Sequence, residues 1–277
     1  MPDLLIHSMA EFRDIILPCL AAAEAKEIVE IGAEYGGMTH LLAEHAAALG
    51  GHLTSIDPAP KPEFVAWAGA NPAVRHVAEL SLAAIPACAD TDAWIVDGDH
   101  NWYTVYHETH AIAERARADG KPLLVFFHDI CWPSGRRDMY YAPDTIPAEY
   151  RHEHSFDAGA FPGRPDLVLN RGFRGMGHFA WATHEGGPRN GVLTGIEDFL
   201  RDEVEAGRDY MFAEVPAVFG LGVLFATDAP WSQAVAEIVL PYHDNALLRR
   251  LEENRLVNYL TVIDTQDRAN EMMARAA

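Results

Sequence analysis

Short apolar segments alternate with helical patterns over roughly the first 130 residues of the chain. Five of these segments are rich in β-branched and aromatic residues, which is typical of β–α–β units around a parallel sheet. We predict strands at 27–31, 53–57, 74–77, 93–97 and 123–127. Helices are expected from the turn at 32–37 to residue 49, near 63–70, and in a segment that closes at Gly120.

The residues before the first strand predict a capped helix. Ser8-Met9-Ala10-Glu11 has the spacing of a capping box, in which serine and glutamate each satisfy a backbone N–H of the first turn. Because Pro18 lacks an N–H, we expect this helix to be interrupted or kinked near it.

The pattern changes from Cys131 to about Gly191. This stretch is rich in proline, glycine, arginine and histidine and shows little periodicity, and it is too long for a simple connection in a compact domain. Its frequent aromatic residues favour an ordered cap over a disordered segment. These aromatic residues are Tyr140, Tyr141, Phe156, Phe161, Phe173, Phe179 and Trp181.

Regular structure is predicted again after the insertion. A helix is expected at 194–206, followed by strands at 210–215 and 220–226, and the short connection between the two strands indicates an antiparallel hairpin. The tail is predicted to be helical at 246–253. Its Leu247, Leu251 and Leu256 lie near helical spacing, which favours core or dimer packing.

Charge and cysteine content narrow the classes of function. The chain has 21 Lys+Arg against 41 Asp+Glu, a formal net charge of −20, which disfavours nucleic acids and anionic membrane surfaces and favours a small-molecule partner. The longest nearly unbroken apolar run, 215–226, is too short to span a membrane. The acidic N-terminus does not resemble a secretory signal, so we expect a cytoplasmic protein. Cys19, Cys88 and Cys131 form no disulfide or zinc pattern.

The turn after the first strand has the composition of a ligand-binding loop. Its glycines allow a tight turn and close approach of a ligand, but their spacing is G-x-x-x-G-G rather than the G-x-G-x-x-G of dinucleotide-binding proteins. Glu34 inside the loop would repel a pyrophosphate, so NAD is disfavoured. Asp57 ends the second predicted strand and could accept two ribose hydroxyls. Glycine-rich turns and Asp-Pro strand ends also occur without ligands, but their combination favours a nucleotide-type ligand.

The segments IVEIGAEYGGMTHLLAE, TSIDP, AWIVDGDHNWYTVYHE and LLVFFHD resemble the class I S-adenosylmethionine-dependent methyltransferases over about residues 25–130. The resemblance implies an α/β, Rossmann-like fold with a seven-stranded, mostly parallel sheet, an antiparallel final hairpin at 210–226, and helices on both faces. A side chain at Gly32 would then be expected to fill space needed by the cofactor. The cofactor-binding residues it implies are Glu30, Gly32, Gly36, Thr39, Asp57, Ser81 and Asp97.

The DGDH and FHD strand ends resemble those of metal-dependent O-methyltransferases that act on small molecules, such as macrolide-sugar and catechol enzymes, and of the cephalosporin hydroxylase-like group. Asp97 and Asp129 follow adjacent parallel strands, at the edge where open α/β sheets bind ligands. Two carboxylates there suit Mg²⁺, which would lower the pKa of an acceptor hydroxyl. His100 matches the position of a general base in such enzymes.

One departure from this resemblance concerns the metal. His128 precedes Asp129 where the relatives usually carry a second acidic or amide-bearing ligand. The site could hold Mn²⁺ or Fe²⁺ through Asp97, His128 and Asp129, or His128 could pack and leave the metal to Asp97, Asp129 and Asp99. Asp97 could also contact the methionine amino group of the cofactor with no metal present.

The insertion supplies the candidate substrate residues. Arg136, Tyr140 and Tyr141 follow the fifth strand, and Arg189 and Asn190 lie in a glycine-rich run that could be a substrate clamp or simply a connecting loop. His152, His154 and His178 more plausibly form a chance cluster than a metal site, because the chain has 14 histidines.

The sequence therefore predicts a single methyltransferase domain over 1–277. Its Rossmann-like core comprises 1–130 and 193–228, with an inserted substrate lid at 131–192 and a C-terminal helical segment at 229–277. The predicted activity is O-methylation of a natural-product or sugar-like hydroxyl, with S-adenosylmethionine and Mg²⁺ or Mn²⁺. The alternatives are a metal-free N- or C-methyltransferase and a cofactor-binding accessory protein without turnover. A homodimer or higher homo-oligomer is compatible with the tail.

Overall fold

The computed structural model describes residues 8–276, and its strands form one large sheet and two small ones. The strands, in chain order, are β1 (Glu27–Ile31), β2 (His52–Ile56), β3 (Val74–Val77), β4 (Ala93–Val96), β5 (Leu124–His128), β6 (Met139–Tyr140), β7 (His154–Ser155), β8 (Ala158–Gly159), β9 (Val168–Leu169), β10 (Ala180–Ala182), β11 (Tyr210–Val215) and β12 (Leu221–Ala226).

Eight α-helices and four 3-10 turns are found within the same described residues. The helices are α1 (Arg13–Ala22), α2 (Thr39–Ala48), α3 (Pro62–Ala70), α4 (Ser81–Ala84), α5 (Trp102–Asp119), α6 (Val192–Glu205), α7 (Ser232–Val239) and α8 (Ala246–Ala276). The 3-10 turns are Met9–Phe12, Ile85–Ala87, Pro143–Thr145 and Ala148–Tyr150. No described helix is both long and apolar enough to cross a bilayer.

The large sheet has seven strands in the order β3-β2-β1-β4-β5-β12-β11, which confirms the predicted fold class. The first five of these strands are parallel, and β12 runs antiparallel to both β5 and β11. The strand order reverses between β1 and β4. In open α/β sheets, ligands bind beyond the carboxyl ends of the strands at such a reversal. The loops after β1 and β4 are therefore the part of the fold that matters most for function.

Helices cover both faces of this sheet and divide the core in two. Along β5, Phe126 packs with residues of α1, α2 and α7, whereas Phe127 packs with residues of α5 and α6 on the opposite face. Because side chains alternate along a strand and both faces are covered, the central strands are apolar at almost every position. This explains why their sequences are continuous apolar runs rather than alternating ones.

The predicted strands match the observed ones closely. Those at 27–31, 74–77 and 210–215 have the predicted bounds, and each end of the others lies within one residue of its prediction. The tail helix is much longer than predicted, because α8 continues to Ala276. Leu256 and Leu260 of α8 are buried against the loop between β11 and β12, whereas Leu247 and Leu251 are 69% and 57% exposed.

Of the two hydrogen bonds of the predicted N-terminal capping box, only the one to the serine hydroxyl is observed. The hydroxyl oxygen of Ser8 accepts a hydrogen bond from the backbone N–H of Ala10, at 3.3 Å. The Glu11 carboxylate does not complete a capping box, because it is paired with Arg255 of α8. Helix α1 also continues through Pro18 instead of being interrupted there.

The insertion after β5 is an ordered cap, with one sheet of β6-β10-β7 and another of β8-β9. Asp138 anchors this cap to the core. Its buried carboxylate accepts the backbone N–H groups of Trp102, at 2.7 Å, and of Gly191, at 2.6 Å, as well as the hydroxyl of Tyr140, at 2.7 Å. Because Trp102 begins α5 and Gly191 precedes α6, one carboxylate satisfies donors at the N-termini of two helices.

Candidate active site

The glycine loop after β1 follows an unusual backbone path. Gly32, Glu34 and Gly36 all have positive φ, at 88°, 46° and 83°. A Cβ atom on Gly32 would lie 2.1 Å from the backbone oxygen of Asp97. The structure therefore gives a different reason for this glycine from the predicted one: a side chain at position 32 would collide with the loop after β4 before any cofactor is considered.

Asp57 shapes the same loop from the end of β2. One oxygen of its carboxylate accepts the backbone N–H groups of Ala33, at 2.9 Å, and Glu34, at 3.0 Å, and the other accepts that of Ala59, at 2.8 Å. The side chain predicted to bind ribose thus already holds the loop in place. Carboxylate oxygens have further acceptor sites, so this does not prevent Asp57 from accepting a ligand hydroxyl.

The buried side chains of Glu30 and Thr39 stabilise the glycine loop through hydrogen bonds. The Glu30 carboxylate accepts the Thr39 hydroxyl, at 2.7 Å, and the Ser55 hydroxyl, at 2.8 Å. Burial raises the pKa of Glu30 to about 8, although these hydroxyls favour the ionised form. Glu30 is 1% exposed and Thr39 is not exposed, so both predicted cofactor contacts brace the loop with little surface to offer a ligand.

Ser81 lies at the start of α4, close to a buried glutamate that the sequence reading did not single out. Glu108 of α5 is fully buried, and this burial, together with the charge of Asp99, raises the pKa of its carboxyl to about 8; the Ser81 hydroxyl partly offsets the effect. Leu80, just before Ser81, is 54% exposed and offers apolar surface beside the carboxyl ends of the strands.

We expect Glu108→Gln to stabilise the protein at pH 8 by roughly 2–4 kcal/mol. The pKa of the Glu108 carboxyl is higher in the folded state than in the unfolded state, so ionisation of Glu108 lowers the free energy of unfolding. The wild-type protein therefore has its full stability below about pH 4.5 and loses part of it as the pH rises towards 8. Glutamine stays neutral throughout this range. Thermal unfolding at pH 5 and pH 8 checks this. Glu114→Gln, on the exposed face of the same helix, is the matched control, and equal pH dependence in both variants would contradict the assignment.

Four titratable side chains meet at the carboxyl ends of β4 and β5. Nε2 of His100 lies 2.9 Å from Oδ2 of Asp129 and 3.4 Å from Oδ1 of Asp97. Nδ1 of His128 lies 3.0 Å from each of the same two carboxylate oxygens. The sequence predicted all four residues as site residues, and the structure brings them together. We call Asp97, His100, His128 and Asp129 the central cluster.

The histidines and carboxylates of the central cluster stabilise one another's charged forms. Burial opposes the imidazolium of His128, but the charges of Asp97 and Asp129 outweigh it and raise the pKa of His128 to about 10. The same balance raises the pKa of His100 well above its ordinary value. Burial likewise opposes ionisation of both carboxylates, yet the histidines lower their pKa values. Without a metal, the two carboxylates therefore favour the protonated form of His100, the opposite of what a general base requires.

Asp99 points away from the central cluster, so its predicted alternative role as a metal ligand is not supported. Its carboxylate accepts the side-chain amide of Asn101, at 2.6 Å, and the hydroxyl of Thr104, at 3.2 Å, at the start of α5. Burial raises the pKa of this carboxyl. Asp99 instead orders the loop that carries His100.

Three members of the central cluster form a group that could hold a metal ion. One donor atom each from Asp97, His100 and Asp129 lie within 4.8 Å of one another. His100, predicted as a base, is thus also a possible ligand, while His128, predicted as a ligand, is outside this group although its Nδ1 lies 3.0 Å from the same two carboxylates. Two carboxylates with imidazole suit Mn²⁺ or Fe²⁺ better than Mg²⁺, which prefers oxygen ligands.

Of the predicted substrate residues in the cap, Tyr141 lies beside the central cluster. Its ring centroid is 6.0 Å from that of His100, and the residue is 53% exposed. The neighbouring Tyr140 is fully buried and bonded to Asp138, and Asn190 is 2% exposed and bonded to three backbone groups of the cap. The predictions for Tyr140 and Asn190 are therefore corrected, because both side chains hold the cap together and present no surface to a substrate.

The two predicted arginines are engaged elsewhere. Arg136 forms an ion pair with Glu197 of α6, at 2.6 Å. The guanidinium of Arg189 lies over the rings of Trp102 and Tyr150, at 5.4 and 5.2 Å from their centroids. Both arginines thus attach the cap to the helical layer of α5 and α6, and neither has a described contact with the central cluster.

Two histidines of the cap contact backbone oxygens of the cap itself. A ring nitrogen of His152 lies 2.8 Å from the backbone oxygen of Arg189, and one of His154 lies 3.0 Å from that of His152. Within the described residues, neither His152, His154 nor His178 belongs to a group that could hold a metal ion.

Phe12 and Phe219 were missed by the sequence reading. Their ring centroids lie 5.8 and 6.3 Å from that of His128, so both rings pack against this histidine. Because they come from the first helical segment and from the β11–β12 turn, no local sequence pattern could have placed them near residue 128.

Comparison with known proteins agrees with this geometry. Residues 29–130 match the family model of a methyltransferase domain. No curated protein matches the chain.

The structure is also similar to those of several methyltransferases at low sequence identity. The SAH-bound methyltransferase PaMTH1 of Podospora anserina is 12% identical, with a TM-score of 0.47 over 82% of this chain and 83% of that one. An O-methyltransferase of Bacillus cereus in complex with SAH is 14% identical, with a TM-score of 0.48 over 80% and 83%. TomG of Streptomyces achromogenes, an O-methyltransferase of tomaymycin synthesis, is 18% identical, with a TM-score of 0.44 over 82% and 83%.

The match to a methyltransferase domain covers residues 29–130, which include most of β1 and all of β2 to β5. The glycine loop and all four members of the central cluster lie within the matched residues.

Proposed function

We propose that the protein transfers the methyl group of S-adenosylmethionine to a hydroxyl of a small-molecule acceptor, assisted by a divalent metal. The observation that carries this proposal is the central cluster beside the glycine loop, where two carboxylates and two imidazoles converge at the carboxyl ends of β4 and β5. A metal-free transfer to nitrogen or carbon would leave this arrangement without an evident purpose.

The cofactor would lie between the glycine loop, Asp57, Leu80 and the central cluster. Asp57 would accept ribose hydroxyls, and the exposed side chain of Leu80 would offer an apolar contact for adenine. S-adenosylmethionine carries a positive sulfonium, and the carboxylates of Asp57 and Asp97 favour a cationic ligand at this edge. Gly32 keeps the loop close to Asp97, which brings the cofactor site and the central cluster together.

The metal would be held by Asp97 and Asp129, with an imidazole as third ligand. Such a cation would lower the pKa of an acceptor hydroxyl and orient its oxygen. We assign the third ligand to His128, because its ring contacts those of Phe12 and Phe219 and its side chain is only 2% exposed, against 8% for His100. His100 contacts the half-exposed Tyr141, and we place the acceptor on that side.

We assign His100 as the group that takes the acceptor proton. A cation on Asp97 and Asp129 would neutralise the charges that raise its pKa, which leaves a neutral imidazole at neutral pH. The acceptor oxygen then forms its bond to the methyl carbon as the carbon–sulfur bond breaks and sulfur keeps the electron pair. The hydroxyl proton passes to His100. Most of the acceleration would come from holding the reacting oxygen in line.

The cap, residues 131–191, would form the acceptor side of the site and act as the substrate lid. Asp138 joins it to the N-termini of α5 and α6, and Tyr141 extends from it towards His100. Because the charge of −20 disfavours polyanionic partners, a small molecule remains the expected acceptor.

Two measurements on the purified chain test this proposal. Calorimetry should show binding of S-adenosylhomocysteine, and methyl transfer to a panel of catechols and polyols should stop with a chelator and return with Mn²⁺ or Mg²⁺. Transfer that resists chelation would favour the metal-free alternative. Cofactor binding without transfer to any member of the panel would favour the accessory-protein alternative.

A further inference from the structure

One face of helix α8 is uncharged and exposed along most of the helix. Residues three or four positions apart follow one another on this face from Leu247 to Met272, and this spacing places them on one side of an α-helix. We call them the α8 stripe: Leu247, Leu251, Asn254, Asn258, Val262, Thr265, Ala269 and Met272. All of these residues are exposed except Ala269, which is partly exposed.

The other side of α8 is packed against the protein. Leu256 and Leu260 are buried against the loop between β11 and β12, and Asp267 is ion-paired with Arg174 of the cap, at 2.7 Å. These contacts fix the rotation of the helix about its own axis. The α8 stripe therefore faces away from the rest of the chain, and it is open to another molecule over a length of about 38 Å.

The composition of the α8 stripe differs from that of a helix face in contact with water. Its large apolar residues are more than half exposed, at 69% for Leu247, 57% for Leu251, 56% for Val262 and 66% for Met272. A solvated helix face normally carries charged residues, but all the charged residues between positions 247 and 272 lie outside the stripe. Exposed apolar residues that form one patch are typical of an interaction surface.

The α8 stripe is complementary to itself when two copies of the helix run antiparallel. With a two-fold axis level with residue 260, every position of the stripe lies opposite another position of the stripe on the second copy. The pairs formed in this way are Leu247 with Met272, Leu251 with Ala269, Asn254 with Thr265, and Asn258 with Val262. The outer pair is apolar, the next combines a large with a small side chain, and the Asn–Thr pair can form a hydrogen bond. A second copy of the chain thus fits the stripe along its whole length.

The size and charge of the α8 stripe also agree with a second copy as its partner. The stripe offers roughly 800 Å² of surface, which is about what each partner contributes to an interface of standard size. An anionic membrane surface is disfavoured by the net charge of −20. Two chains of this charge repel each other, so they associate most readily through faces that carry no charge, as the stripe does.

We propose that two copies of the chain form an antiparallel dimer through the α8 stripe. Each copy contributes the same residues, so the contact closes on itself and adds no further copies. The dimer does not depend on methyl transfer, because α8 contains no member of the central cluster. It would also hold α8 in place against the cap and the β11–β12 loop on the other side of the helix.

The mass of the full chain in solution is the first test. Sedimentation equilibrium at about 100 µM chain should give twice the 30.6 kDa of one copy. Raising the salt concentration should strengthen the dimer, because screening weakens the repulsion between two chains of charge −20. A monomer at this concentration overturns the proposal. Association that weakens with salt also overturns it, since such a contact would depend on charged groups.

Val262→Glu tests whether the α8 stripe is the contact. Val262 lies close to the two-fold axis, so the dimer would hold two added carboxylates near each other in uncharged surroundings, and its affinity should fall at least about 100-fold. Glutamate favours a helix at least as well as valine does, so α8 should remain folded, which far-ultraviolet circular dichroism checks. Val204→Glu is the matched control, because Val204 is 62% exposed on α6 and lies outside the stripe. Equal dimer affinity in Val262→Glu and Val204→Glu overturns the proposal.

An exchange of side-chain sizes tests the antiparallel arrangement. Leu251→Ala and Ala269→Leu should each weaken the dimer at least about tenfold, because each change occurs twice and leaves a gap or an overlap. The double variant places leucine and alanine opposite each other again, in exchanged order, and should recover most of the lost affinity. A double variant that dimerises no better than either single variant overturns the antiparallel arrangement.

Discussion

Asp129→Asn is expected to lower the metal-dependent turnover roughly 10³-fold, the loss of about 4 kcal/mol of charge stabilisation. Loss of a residue that only contacts a metal ligand lowers metal affinity roughly 10–100-fold. Because Asp129 is assigned as a ligand itself, the affinity for Mn²⁺ should fall by at least this much. Asparagine matches the size of aspartate and tolerates positive φ, and Asp129 has a φ of 60°. The variant should therefore fold normally. Calorimetric Mn²⁺ titration and steady-state rates check both expectations.

Asp99→Asn is the matched control for this experiment. Asp99 belongs to the DGDH motif that also contains Asp97 and is partly buried, but its carboxylate is bonded to Asn101 and Thr104 instead of the central cluster. The Mn²⁺ affinity of the Asp99→Asn variant should equal that of the wild type. If Asp129→Asn kept full Mn²⁺ affinity and full activity, the metal site would have to be abandoned.

His100→Gln is expected to reduce turnover by about 10²–10⁴-fold, the usual value of a lost general base. Mn²⁺ and S-adenosylhomocysteine should still bind nearly as in the wild type, because His100 is assigned to the acceptor side and not to the metal. The acidic limb of the pH–rate profile should flatten, since that limb reports protonation of the base. Rates from pH 5 to 9 at saturating metal measure this.

His128→Gln provides the complementary result. It should weaken Mn²⁺ binding and leave the slope of the acidic limb unchanged at saturating metal. If His100→Gln instead lost the metal and His128→Gln kept it, His100 would be the metal ligand and His128 the base. The proximity of His100 to both carboxylates allows this exchange of assignments. A normal rate in His100→Gln would remove the base assignment altogether.

The sequence determined the sheet of this protein almost completely. β4 and β5 are buried on both faces, so their apolar runs are nearly continuous and bounded by turns, and the signal for each is local. β1 is recognised by its Ile and Val residues, although it also contains the buried Glu30. The positions of Asp97 and Asp129 were predictable for the same reason. Parallel strands place their carboxyl ends at one edge, so residues that directly follow neighbouring strands must lie close together.

The roles of individual side chains in the cap were not predictable in this way. Tyr140 and Tyr141 are adjacent and identical, yet one is bonded to the buried Asp138 and the other lies half-exposed beside His100. In an irregular segment no periodicity indicates which of two neighbours faces the core. Asp138 itself carries no local signal, because its partners at the starts of α5 and α6 are distant along the chain.

The chemistry of the central cluster was likewise divided between sequence and structure. The sequence by itself determined which residues meet at the sheet edge and that a small-molecule partner suits an acidic chain. Only the tertiary structure decided that His128 contacts Phe12 and Phe219 whereas His100 contacts Tyr141. The physical reason is that strand order follows from local burial patterns, whereas the surroundings of a side chain depend on packing between segments far apart in sequence.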